Sequence, residues 1–312
     1  MKIVFMGTPD FAIPSLKILI ENNHQILAVV TTPDKERGRG QKVTFTVVKQ
    51  FAVENNIPVF QPEKLKGNDE FVEQMKLLNP DLFVVVAFRI LPKEVFEIPK
   101  FGSFNLHGSY LPKYRGAAPI QWALINGDEE TGLTTFKLAE KVDTGNIYLQ
   151  EKVKINPDDN FESLHDRMSF IGAELVLKTV KMIEKGNIVL LQQDNSLAST
   201  APKITKKICL IDWNKSAEEI HNLVRGLSPH PAAFFELNEK IYKVYKSKVH
   251  NNLDSFGIVS LSAGEFYQTK KQIFFGTKNG IIEILDIQPE GRKRMTTEEF
   301  LRGYSLKKGF KS

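Results

Sequence analysis

KIVFMGTPDFAIPSLKILI, residues 2–20, decides the fold class. Residues 2–6 are a short apolar run of strand length, and Gly7-Thr8-Pro9-Asp10 is a turn. Residues 11–20 carry apolar groups at helical spacing. Strand, glycine turn and helix make the first half of a βαβ unit. There is no Gly-x-Gly-x-x-Gly, which argues against a dinucleotide site of that kind.

The alternation continues outward from this stretch. Residues 25–31, QILAVVT, read as a second strand. Helices are expected over 46–56 and 68–78, the latter with Phe71, Met75, Leu77 and Leu78 on one buried side. Residues 81–87 are apolar on both faces, as a central parallel strand requires. Residues 102–107 give the next strand, 120–125 a helix with Pro119 in its first turn, and 131–138 and 147–154 two more strands. A long helix is expected over 161–185, ended by Gly186. These elements predict an α/β, Rossmann-like, doubly wound and mainly parallel sheet over residues 1–189. Residues 190–204 have weak periodicity and read as a linker. Beyond it, Asp212 or Ser216 can cap a helix bearing Ile220, Leu223, Val224 and Leu227. Short β-type runs at 233–237, 240–249, 257–261, 272–276 and 280–287 precede a last helix over 296–302. They predict an OB-like β-barrel domain over 205–312.

Composition narrows the class. The 312 residues hold one cysteine, Cys209, so no internal disulfide can form and no cysteine-rich zinc site exists. No metal is expected, and a reducing cytoplasm suits the chain. The apolar run near residue 1 is too short for a signal-peptide core, and no run reaches the length of a membrane helix. Charge is uneven. Residues 203–312 carry 19 Lys and Arg against 12 Asp and Glu, while residues 1–202 carry 23 against 25. Such asymmetry suits a polyanionic partner on the C-terminal part, and Lys-rich surfaces also serve solubility. The polar segment 32–42, TPDKERGRGQK, adds four basic residues and two glycines. Arg and Lys there suit phosphates, and a solvated surface loop is the plainer alternative.

The chemistry concentrates between residues 104 and 148. Asn105 and His107 are two apart and face the same way on an extended strand. Asp143 sits in a Val-Asp-Thr-Gly turn that can return to them. An amide that holds an oxyanion, an imidazole that moves a proton and a carboxylate beside it suit attack of an amine on an acyl carbon. Neither a Gly-x-Ser-x-Gly elbow nor a nearby cysteine offers a covalent nucleophile, so direct transfer fits better. Each residue also has an ordinary structural use: Asn105 and His107 in local hydrogen bonds, Asp143 as a turn former. Spacing alone leaves both readings open.

The run Asn105-Leu106-His107-Gly108-Ser109-Tyr110-Leu111-Pro112-Lys113-Tyr114-Arg115-Gly116, followed by Asp143-Thr144-Gly145, resembles the folate-dependent formyltransferases. Their pattern is Asn-x-His, Ser-Leu-Leu-Pro, a basic-aromatic pair, Arg-Gly, then Asp-x-Gly. Tyr110 stands in place of the first Leu, and Phe88-Arg89 in place of a common Tyr-Gly pair. Pro33 to Gly40, Ala201-Pro202-Lys203-Ile204 with Asp212-Trp213, and Gln288-Pro289-Glu290-Gly291 resemble segments of the family's tRNA-dependent branch. The resemblance implies catalytic residues Asn105, His107 and Asp143. It implies a donor, 10-formyltetrahydrofolate, whose site Ser109, Tyr110, Leu111 and Pro112 line. The implied acceptor is the methionine α-amine on initiator methionyl-tRNA, met by Arg37, Arg39, Lys42, Lys203, Lys206 and Lys207. A monomer is expected.

Overall fold

The computed structural model describes residues 1–37, 42–251 and 261–306. The chain divides into two compact units, one of Met1–Ala117, Thr131–Lys154 and His165–Ala201, the other of Ala118–Glu130, Ile155–Leu164 and Pro202–Ser312. No helix among the described residues is long and apolar enough to cross a membrane.

The first unit begins with β1 (Lys2–Gly7), α1 (Ile13–Glu21) and β2 (Gln25–Val30). A hairpin of β3 (Lys35–Arg37) and β4 (Lys42–Thr44) follows. Then come α2 (Val47–Glu54), β5 (Val59–Phe60), α3 (Asp69–Leu77), β6 (Leu82–Val86), α4 (Lys93–Phe96) and β7 (Ser103–His107). After β8 (Arg115–Gly116) the chain enters the second unit for α5 (Pro119–Ile125), and β9 (Glu130–Lys137) and β10 (Ile147–Lys154) then complete a seven-stranded sheet of order β10-β9-β7-β6-β1-β2-β5. Strands β7, β6, β1, β2 and β5 pair in parallel, and β9 runs antiparallel to β7. From β1 the chain builds outward through β2 and β5, then through β6 and β7 on the other side. The order therefore reverses between β1 and β6, where open α/β sheets form a crevice beyond their carboxyl ends.

Both faces of this sheet are covered. All of β6 is buried, as its unbroken apolar run requires. On one face Phe71 and Met75 of α3 pack against Val4, Met6, Phe83 and Val85. On the other, Leu106 meets Gly172, where an added Cβ would stand 2.7 Å from Leu106 Cδ2. Gly172 lies on α6 (Phe161–Glu184). The apolar side expected for 68–78 needs one correction: Leu77 is 84% exposed, while Phe71 and Met75 are buried and Leu78 packs beside them. Leu77 lies six positions after Phe71, a spacing that rotates it to the far side, whereas spacings of four and seven keep to one face.

Of the segment 190–204, read as a linker, residues 190–201 belong to the first unit. Leu191 bridges Ile147, and β11 (Thr200–Ala201) pairs in parallel with Arg115 and Gly116 of β8. The 32–42 stretch, read as a loop, holds β3 and the first residue of β4, which pair antiparallel. The root of this pair is fastened by Asp34, which accepts from Lys49 Nζ and, at 2.9 Å, from Gln61 Nε2. These bonds, that from Lys49 foremost, hold the Asp34 carboxyl below its ordinary range.

In the second unit, α7 (Lys206–Cys209) and α8 (Ala217–Leu227) precede β12 (Ala233–Leu237), β13 (Lys240–His250), β14 (Phe266–Gln268), β15 (Ile273–Gly276), β16 (Ile281–Pro289), β17 (Met295–Thr296) and α9 (Thr297–Gly303). Ser216, not Asp212, caps α8, in a reciprocal box with Glu219. That box holds the Glu219 carboxyl at about 2, with the Ser216 backbone N–H as the main cause. The strands form a curled antiparallel half-barrel of order β12-β13-β16-β15-β14, with β17 beside β16. Ile220, Val224 and Leu227 of α8 enter its core with Phe235, Phe275 and Ile284. Strand β14 is absent from the sequence expectation, and 257–260 of the expected strand 257–261 lie outside the described residues.

Candidate active site

The strand ends create the site. Gly7 pairs with Val86, and Val86 with Leu106, so β1, β6 and β7 finish level with one another. His107 is the last residue of β7. Because side chains alternate on a strand, Leu106 points to α6 while Asn105 and His107 share the opposite face. Asn105 lies opposite Phe136 of β9 in the ladder, and His107 opposite Thr134.

The His107 ring is buried, 6% exposed, and stands edge-on to Phe136 at 6.4 Å. Its Nε2 lies 2.9 Å from the Tyr114 carbonyl oxygen. A carbonyl can only accept, so Nε2 carries the proton and donates. Nδ1 is left to exchange a proton, and Asp143 Oδ2 stands 3.9 Å from it. That gap is too long for a hydrogen bond and short enough for a strong charge interaction. The ring is therefore oriented by Tyr114, and Asp143 contributes charge. Asn105 is half-buried, and its carboxamide has no hydrogen-bond partner among the described residues.

Asp143 is placed by its surroundings. Its backbone has φ +55°, in the left-handed region, which Asp tolerates better than most residues. Its Oδ2 accepts the Gly116 backbone N–H at 2.8 Å. Two residues on, glycine is required at Gly145, because a Cβ there would lie 1.6 Å from the Lys137 carbonyl oxygen. Gly116 has φ +127°, and a Cβ there would lie 2.6 Å from the Ala201 oxygen. Two residues outside the expected site complete this cluster. Gln193 Nε2 donates to the Asp143 and Gly145 carbonyls at 2.9 and 2.8 Å. Its Oε1 accepts from Arg115 Nε and Nη2 at 3.1 and 2.6 Å. No spacing rule singles out Gln193, the second of two adjacent glutamines in a polar stretch, and the carbonyl of Tyr114 leaves no mark in sequence at all.

The loop 109–112 presents two kinds of residue. Ser109 and Leu111 are buried and build the loop: Ser109 Oγ donates to the Lys113 carbonyl at 2.6 Å, and the Leu111 N–H to Thr134 Oγ1 at 3.0 Å. Tyr110 is exposed and Pro112 half-buried. Arg89 turns inward, donating to the Pro62 and Glu63 carbonyls at 2.6 and 2.8 Å, and burial lowers its basicity. Thr8 Oγ1, just past the end of β1, is buried without a hydrogen-bond partner among the described residues.

Of the expected cationic residues, Lys203, Lys206 and Lys207 are exposed in the second unit, with Lys206 Nζ 5.7 Å from the Phe234 ring centre. Lys246, Lys248 and the run Arg292-Lys293-Arg294 are exposed in the same unit. Arg37 and Lys42 pair through their backbones across the β3–β4 hairpin. Arg39 lies outside the described residues. Among the described residues no group of three or more His, Cys, Asp or Glu is placed to hold a metal ion.

Comparison with known proteins gives one answer along the chain. A family model described as formyl transferase matches residues 1–180, and its C-terminal domain model matches 203–305. The methionyl-tRNA formyltransferase of Flavobacterium johnsoniae is 46% identical over 311 residues, covering 98% of this chain and 97% of the relative. That of Clostridioides difficile is 46% identical over 313 residues, covering 99% of each. Among solved structures, an N-formyltransferase from Helicobacter canadensis in complex with folinic acid and dTDP-3-aminofucose superposes with a TM-score of 0.68 at 24% identity, covering 91% of this chain and 98% of that one. The methionyl-tRNA formyltransferase of Clostridium thermocellum does so with a TM-score of 0.56 at 18% identity, covering 81% and 95%. At such identities the likeness speaks for the fold. The near-complete match to the curated relatives speaks for the family, and the chain belongs to the methionyl-tRNA formyltransferases.

Proposed function

We infer that this protein transfers the formyl group of 10-formyltetrahydrofolate to the α-amine of methionine on initiator methionyl-tRNA, giving the N-formylmethionyl-tRNA used to start translation. The observation that carries this reading is the placement of Asn105 and His107 on one face at the end of β7, with the Asp143 carboxylate 3.9 Å from His107 Nδ1.

In this mechanism the methionine amine attacks the formyl carbon, and the carbonyl electrons move onto oxygen. Asn105 donates to that oxyanion through its otherwise unpartnered carboxamide. His107, with Nε2 held by Tyr114, donates from Nδ1 to the same oxygen when the ring carries its second proton. Asp143 supplies the opposing charge and a route for the proton shed by the amine. Collapse of the tetrahedral species breaks the bond from carbon to N10 of the folate, and N10 takes up a proton, which balances the one lost by the amine. No covalent enzyme intermediate is formed.

The loop of Ser109, Tyr110, Leu111 and Pro112 shapes the donor site, the exposed Tyr110 and half-buried Pro112 offering its surface and the other two its support. Arg37 of β3 and Lys42 of β4, with Arg39, Lys203, Lys206 and Lys207, meet the phosphates of the tRNA. The three catalytic residues lie within residues 1–189, and residues 205–312 add most of the RNA-binding surface. The protein works in the cytoplasm, as a monomer and without a metal. The test is formylation of methionine-charged initiator tRNA by the purified protein with 10-formyltetrahydrofolate; absence of formyl-methionine after hydrolysis of the tRNA ester would overturn the reading.

A further inference from the structure

The Gln193 amide is 5% exposed, and every one of its hydrogen-bonding valences is used. Oε1 takes two N–H groups of Arg115, and Nε2 gives one hydrogen each to the Asp143 and Gly145 carbonyls. Its orientation is fixed by chemistry, since a guanidinium only donates and carbonyls only accept. The contacts close a ring. Arg115 is covalently joined to Gly116, the Gly116 N–H holds the Asp143 carboxylate, and the Asp143 carbonyl returns to Gln193. A residue in the left-handed region, as Asp143 is, persists where its surroundings hold it there. The His107 ring is fixed separately, by Tyr114. The gap between the two side chains is therefore set from the Asp143 side.

We propose that Gln193 is a positioning residue for formyl transfer: it clamps the Asp143–Gly145 turn and so sets the separation of the Asp143 carboxylate from His107. The proposal rests on the reading of Asp143 as the charge partner of His107. The clamp belongs to the segment 190–201, so the ordering of that segment becomes a condition of catalysis.

Gln193→Glu separates this role from simple packing. The new carboxylate still accepts from Arg115, so the Arg115 side of the clamp survives. Its second oxygen faces two carbonyls that cannot donate to it, so the turn is released. The expected result is a fall in kcat on the order of 100-fold, the scale of a misplacement of about 1 Å, with KM for charged tRNA and for formyl-folate within about threefold of the parent. Hydrogen exchange at the Gly116 amide should quicken as its bond to Asp143 loosens. Turnover within threefold of the parent, or a loss carried by KM, overturns the proposal. If Gln193→Glu does not fold, Gln193→Asn keeps both donors and acceptor but is one methylene too short to reach both sides, and the same split is read from it. Asp143→Asn is assayed alongside. If it turns over like the parent, the reading of Asp143 fails and the clamp with it; if it is impaired while the Gln193 variants are not, the clamp alone fails.

Discussion

Replacing Asp143 by Asn removes a charge and little else. The Asn side-chain oxygen can still accept the Gly116 N–H that holds Asp143 at 2.8 Å, so the side chain keeps its place. What disappears is the attraction between a carboxylate and a protonated His107 across 3.9 Å. At an effective dielectric of about 20 that attraction is about 4 kcal/mol. Asp143 retains 12% of its side-chain exposure, which admits water and screens part of it. Roughly 2 to 4 kcal/mol of transition-state stabilisation should be lost, or about 30- to 1,000-fold in kcat. The assay is single-turnover formylation of methionine-charged tRNA at saturating protein, with tRNA affinity measured separately by filter binding. Affinity should stay within threefold, because the residues assigned to the tRNA phosphates, Arg37, Arg39, Lys42, Lys203, Lys206 and Lys207, are all unchanged. A fall of less than threefold in the single-turnover rate, or a loss confined to tRNA binding, would refute the charge argument.

Lys206→Ala and Lys207→Ala should each weaken tRNA binding and lower the slope of log K against log salt by about 0.7 to 0.9; an unchanged slope removes that lysine from the interface. Gly145→Ala forces a Cβ against the Lys137 oxygen and should cost about 2 kcal/mol or more by displacement of the turn, read as a lower melting temperature together with lost activity. Burial, aided by Arg225, holds His221 below its ordinary 6.5 while its ring lies 3.0 Å from Ser247 Oγ. The unfolded chain then binds the extra proton more readily, so this contribution is complete above pH 6.5 and is lost as pH falls below it. Melting temperature should drop between pH 7.5 and 5.5, and His221→Gln should flatten part of that drop.

What the sequence made legible follows from how local each signal is. The all-apolar run 82–86 and the alternation around residues 103–107 depend on neighbours in the chain, and both appear as strands at those places. The capping choice at the start of α8 could be narrowed to Asp212 or Ser216, because caps are local too; only Glu219, three residues past Ser216, completes the box. Leu77 was misplaced by reading apolar content instead of angle. The three-residue strand β14 is too brief for any period to register. The shared face of Asn105 and His107 at the end of β7 is legible from a spacing of two. The hold on Asp143 is not. It comes from a backbone N–H, a backbone carbonyl and a glutamine in a segment without periodicity, which chemistry recognises only after the chain has folded.

The pairing of Arg115 and Gly116 with Thr200 and Ala201 also orders events in time. Ser199 reaches back across 85 residues to Tyr114, whose carbonyl orients His107. Such a distant closure forms late, because the chain between its ends must first be made and confined. On the ribosome, a nascent chain that has exposed β1 to β10 already owns all three polar residues of the centre. It lacks the strand that pairs with Arg115 and Gly116 and the glutamine that holds the Asp143 turn. The protein's birth should thus pass through a folded but idle sheet. The Asp143 turn should become fixed within the emergence of a few residues near position 200, well before the half-barrel is complete.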